Sequence, residues 1–150
     1  MKLEIFTLCD EAHEANGKLY INGAFQNLSA PGFPCLHPRF CVVARIRFVP
    51  IEIGEHSIQV IFKNEDGKDV LPIPVIEQKF TVQIPDGKQS ATLHSIILIN
   101  AIQLTAPGEY MVGLAVDRLA QAELPLYVSQ MPMTPQLPEP PPPPVHDGPH

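Results

Sequence analysis

Tryptophan is absent from the 150 residues, tyrosine occurs three times, and lysine plus arginine only ten times. Each shortage removes a class of function. Sugars and unstacked bases are held on aromatic faces, and this chain has few to offer. Nucleic-acid surfaces need clustered cations, whereas sixteen acidic residues leave a formal charge of −6 here. Only Arg39, Arg45 and Arg47 come close together along the chain. No apolar run approaches the roughly 20 residues of a membrane span. The opening MKLEIFTLCDEAHE lacks the long apolar core and small-residue cleavage site of a secretory signal. The three cysteines, Cys9, Cys35 and Cys41, are an odd number without paired spacing, which predicts a reduced, cytoplasmic protein. Neither nucleic acid nor membrane is expected as a partner.

Catalytic signatures are missing too. There is no G-x-G-x-x-G, P-loop or G-x-S-x-G elbow. His94-Ser95 and His56-Ser57 are adjacent within strand patterns, so each pair points to opposite faces and cannot share a proton. The segment IFKNEDGKDV at 61–70 gathers oxygens around a glycine, but its spacing fails a calcium loop. Counting from Asn64, Gly67 falls at position four instead of six, and position twelve is Val75 instead of glutamate. An Asp-Gly pair between two apolar runs reads as a turn. The expectation is a protein that is not an enzyme and carries no cofactor.

What the chain does have is alternation with period two. In 41–48, Val42, Ala44, Ile46 and Phe48 share one face and Arg45 and Arg47 the other. Similar patterns run through 57–63, 79–84, 109–116 and 124–128, and two opening strands fit 3–9 and 18–25. The run ATLHSIILI at 91–99 is apolar on both faces, which predicts a strand at the centre of a sheet. The acid-rich Asp10–Asn16 is the best place for a helical turn. Residues 26–39 are the longest stretch without periodicity and predict a long loop. Asn16-Gly17, Asp66-Gly67, Asp86-Gly87 and Pro107-Gly108 separate the strand patterns. The fold class expected is all-β, an antiparallel β-sandwich of about 7–9 strands.

The composition changes at residue 131. MPMTPQLPEPPPPPVHDGPH holds nine of the eighteen prolines and no lysine or arginine. The division is therefore 1–130, a β-sandwich domain, and 131–150, a proline-rich extended or disordered tail. P-x-x-P spacings that include Pro138 and Pro141 suit docking into aromatic-lined grooves.

Two functional readings remain. The first is a non-catalytic protein-interaction or assembly module that binds a protein partner or itself. Its contact residues would be Pro34, His37, Arg45, Arg47, Pro138 and Pro141. The alternative is a small-ligand or metal-binding sandwich drawing on Cys9, His13, Cys35 and His37, although those spacings match no compact ligand knuckle. Buried, inert thiols explain the same cysteines.

The run Asp10-Glu11-Ala12-His13-Glu14-Ala15-Asn16-Gly17-Lys18-Leu19, followed by Gly23, resembles an uncharacterised family of small bacterial proteins. The likeness continues through the proline-containing stretch Pro31–Pro38, Val43-Ala44-Arg45, Asp66-Gly67 and Pro107-Gly108-Glu109-Tyr110. It covers nearly all of 1–129 and none of the tail. What it implies is a cytoplasmic sandwich of immunoglobulin-like type with no assigned reaction, and with Asp10, Asn16 and Lys18 capping the first turn.

Overall fold

The computed structural model describes residues 1–132. Pro138 and Pro141, with the rest of the expected tail, lie outside the described residues. Nine strands follow one another: β1 (Lys2–Ala15), β2 (Lys18–Phe25), β3 (Asn27–Ala30), β4 (Cys35–Phe48), β5 (Gly54–Lys63), β6 (Ile76–Val82), β7 (Ala91–Leu104), β8 (Gly108–Val116) and β9 (Leu119–Gln130). They form two sheets in the orders β2-β1-β4-β7 and β3-β9-β8-β5-β6. One core joins the two inner faces. Val42, Ala44, Ile46 and Phe48 meet Ile58, Val60 and Phe62, Tyr110, Val112, Leu114 and Val116, and Leu126 and Val128. The alternation read from the sequence is this inner set, and Arg45 and Arg47 do lie on the opposite face of β4.

Four expectations need correction. Asp10–Ala15 is strand, not a helical turn, because the chain reverses at Asn16-Gly17, both with positive φ (52° and 72°). That two-residue turn pairs Ala15 with Lys18. Asp10 therefore caps nothing. It sits opposite Gly23, whose φ of 70° favours glycine and where an added Cβ would come within 2.5 Å of Asp10 Oδ2 and push that exposed carboxylate aside. The stretch 26–39 is also not one loop, since it contains β3 and the start of β4. Finally, β3 pairs with β9 in parallel, so the second sheet is mixed, while every other pairing is antiparallel.

The fourth correction concerns β7. Among the described residues it lies at the end of the first sheet with β4 as its one ladder neighbour, not at the centre. Its two-sided apolar pattern has another cause. The inner residues Ile97, Ile99, Ile102 and Leu104 enter the main core. On the outer face, the β1–β2 hairpin folds back over the sheet. Ala12, Leu19, Ile21 and Ile96 pack over Cys9, Cys41 and Val43, of which Cys9 and Val43 are fully buried. Glu14 near the hairpin tip reaches across β4 to His94 of β7. A second, smaller core thus lies outside the sandwich.

β4 and β7 share one irregularity. Pro38 and Arg39 are both exposed, and so are their partners Asn100 and Ala101, so inward alternation slips by one in both strands on the same rungs. Pro38 has no N–H to give the ladder, and Ala101 takes φ 52°. The pair bends there without losing register.

Candidate interaction surface

Arg45 and Arg47 of β4 lie beside His94 and Thr92 of β7, and the other edge of β7 is unpaired among the described residues. Arg47 is gripped by Glu4: Nε lies 2.9 Å from Oε1 and Nη2 3.3 Å from Oε2, while Nη1 donates to Ser90 Oγ at 3.0 Å. Arg45 Nε is 4.0 Å from the same Oε1, too far for a hydrogen bond, and is buried without a partner. One carboxylate therefore serves two half-exposed guanidiniums. Beside them, His94 Nδ1 is bonded to Glu14 Oε2 at 2.6 Å. Further along β7 the character changes, and Leu98 is 46% exposed.

The edge of β7 has no charged side chain over all fourteen residues of ATLHSIILINAIQL, His94 being its one titratable group. The other sheet ends are protected. β2 begins with Lys18 and carries Gly23 at φ 70°, β6 carries Glu77 and Lys79, and β3 is four residues long. Among the described residues, no backbone hydrogen bond outside the β4 ladder reaches β7. Unpaired edge amides and carbonyls are a template for another strand unless a charge, a proline or a cover blocks them.

The other sequence-derived candidates are scattered. Pro34, joined to Phe33 by a cis peptide bond, is exposed at the opposite end of β4 from Arg47. His37 and Cys35 face inward there and line a cavity of about 180 Å³ with Ser29, Leu104 and Val128. The His37 ring packs against Phe25 and Phe40, and its buried Nε2 has no partner. Cys9 lies instead in the outer core opposite Cys41, and His13 stacks on Tyr20 at 4.8 Å. The four proposed metal ligands are not brought together, and no group of three or more potential ligands occurs among the described residues. Burial, with Cys41 and Asp10 nearby, pushes the Cys9 thiol up to about 11. Such a thiol is a poor nucleophile and a poor ligand at neutral pH.

At Asn64 the turn reading agrees with the geometry. Asn64 Oδ1 accepts from the amides of Asp66 (3.0 Å) and Lys68 (2.9 Å), and Gly67 N donates to the Asn64 carbonyl at 2.9 Å. The chain then returns alongside β5 through a bridge between Lys63 and Asp69.

The sequence did not reveal one ionic pair. His56 and Asp117 are 61 positions apart, yet Nδ1 and Oδ2 meet at 2.6 Å at the β8–β9 turn. His56 Nε2 lies 2.6 Å from the Glu52 carbonyl, and Asp117 Oδ1 accepts from Ser57 N at 2.9 Å. Both ring nitrogens face acceptors, so the doubly protonated ring is favoured, and the Asp117 contact followed by the Glu52 carbonyl holds its pKa above the ordinary value. Burial pushes the Asp117 carboxyl up, but His56 and the Ser57 amide outweigh it and leave it below its ordinary value. With neither ring nitrogen free, this is a clamp between the Pro50–Glu52 turn and the β8–β9 turn, not a general base. Its sign is definite. The histidine contribution is complete below about pH 6.5 and fades as pH rises through the raised folded value. The aspartate contribution is complete above about pH 3.9 and fades as pH falls through the lowered one. Thermal unfolding against pH should place the clamp's full contribution between those limits, and His56→Phe should abolish the decline on the alkaline side.

A larger cleft of about 500 Å³ opens where the chain passes from β2 to β3, lined by Thr7, Phe25, Gln26 and Pro125 among others. No titratable side chain lines it.

Comparison with known proteins places the chain in a family. Residues 4–129 match the family of unknown function DUF6941, and the chain belongs to it. No match is found among the curated proteins.

Proposed function

We propose that this chain is a non-catalytic interaction module: an immunoglobulin-like sandwich that takes a protein strand along the free edge of β7. The single observation that carries the reading is the combination at β7, a fourteen-residue edge strand with no charge and, among the described residues, no backbone partner on one side. Strand addition to an open edge gives affinity through main-chain hydrogen bonds and specificity through alternate side chains. The immunoglobulin-like part of the reading rests on strand order. β1-β4-β7 and β9-β8-β5 correspond to the A-B-E and G-F-C order of that architecture. Tyr110, at the start of β8, also donates its hydroxyl to the Ala106 carbonyl four residues upstream at 2.7 Å. That is the corner bond made in such sandwiches where E passes to F. Cytoplasmic residence belongs to the same reading, since Cys9 and Cys41 face each other as free thiols.

A photo-crosslinking side chain at position 98, with the more exposed position 36 as a reference, tests the reading in source cells. A protein adduct specific to position 98 is the expected result. Adducts at 36 and none at 98 would remove the β7 edge from consideration.

A further inference from the structure

We infer that the strand filling the β7 edge is the β7 of a second copy, paired antiparallel about a two-fold axis close to Leu98. The inference rests on the interaction reading above and names its partner.

Three observations carry it. The first is a vacancy in the architecture. In sandwiches of this order a further strand, D, pairs with E on the side away from B. Here the segment from β6 to β7 forms no strand, so among the described residues the E-equivalent β7 is left with β4 alone. The second is an apolar side chain that the hairpin does not cover. Ile96 packs in the outer core, but Leu98, two residues along the same face, is 46% exposed beside the free edge. The third is charge. A chain with a formal charge of −6 repels its copies over most of its surface. β7 sets no acid or base opposite another, and the nearest cations and His94 already face Glu4 and Glu14.

The geometry is self-complementary. An antiparallel pair about a two-fold puts residues of one face beside residues of the same face. With the axis near Leu98, its exposed side chain meets its own counterpart and the neighbouring Ile96 on the outer face, while the inner face carries Ile97 and Ile99 onward. The two four-stranded sheets become one eight-stranded sheet. The chain's own tail is a poor occupant of this edge, because nine of its twenty residues are prolines, which have no N–H to donate.

The test is sedimentation equilibrium of the full chain over a range of concentrations, with Leu98→Lys, Asn100→Lys and the reference Leu36→Lys. All three positions are exposed, so the variants should fold, and a thermal melt verifies it. The expected result is a species of twice 16.5 kDa for the wild type and Leu36→Lys. Leu98→Lys should weaken it on the order of 100-fold or more, since the two-fold sets the two lysines opposite one another, and Asn100→Lys, which faces Ile96 of the other copy, should weaken it less. A wild type that stays monomeric at every concentration overturns the inference, as does a dimer indifferent to both edge lysines. The mass of the position-98 adduct separates this failure from that of the interaction reading. Twice the chain mass supports the second copy, another mass overturns it while the edge reading stands, and no adduct at 98 overturns both.

Discussion

Phe40→Ala is expected to destabilise the protein by about 3–5 kcal/mol. Phe40 is 1% exposed on the inner face of β4, one residue beyond the bend at Pro38–Arg39. Its ring meets Phe25 edge-on at 5.9 Å and Phe62 of the other sheet at 6.3 Å. Truncation removes a transfer contribution, these two aromatic contacts and that with His37, and the filler of a site whose walls belong to two sheets. Those walls cannot collapse together, so a cavity remains. Phe40→Leu, which keeps most of the volume, should cost less than half as much. Denaturant unfolding of both variants gives the comparison. A loss below about 1 kcal/mol for alanine would mean that the two sheets do not meet at Phe40.

Val43→Asp carries the next largest effect. On a plain sandwich Val43 would lie on the solvent side of β4, where a carboxylate is harmless. Here it is fully buried under Ala12, Leu19 and Ile21 of the folded-back hairpin. An uncompensated carboxylate there should cost about 3–5 kcal/mol near neutral pH. The loss should be smaller in acid, where the group takes up a proton and enters the outer core neutral. Unfolding at two pH values checks both magnitude and direction. A substitution tolerated equally at both would show that the hairpin does not cover the sheet.

Most strands could be read directly from alternation, because Val42 to Phe48, Ile58 to Phe62 and Tyr110 to Val116 each bury one face and wet the other. The reading failed where a second cover alters that rule. β7 was expected at the centre because Ile96 and Leu98 break the alternation between Ile97 and Ile99. The hairpin shelters Ile96 locally, and the strand itself lies at an edge. Asp10–Ala15 looked like a turn because its acids share no strand period, since one side of the hairpin faces solvent and only Ala12 packs inward. β3 has four residues and no pattern, and is held by parallel pairing with β9, a contact that no local signal encodes. The Arg45/Arg47 face was visible as two outward residues, but their shared Glu4 was not. The His56–Asp117 clamp spans 61 positions and depends on tertiary closure.

Amide hydrogen exchange along β7 tests the central claim most directly. Alternate amides of this strand point away from β4 and have no partner among the described residues. If a second β7 pairs with them, those in the central stretch around Leu98 are protected in the wild type at high concentration and exchange freely in Leu98→Lys. Equal, rapid exchange of the same amides in both proteins would contradict the account.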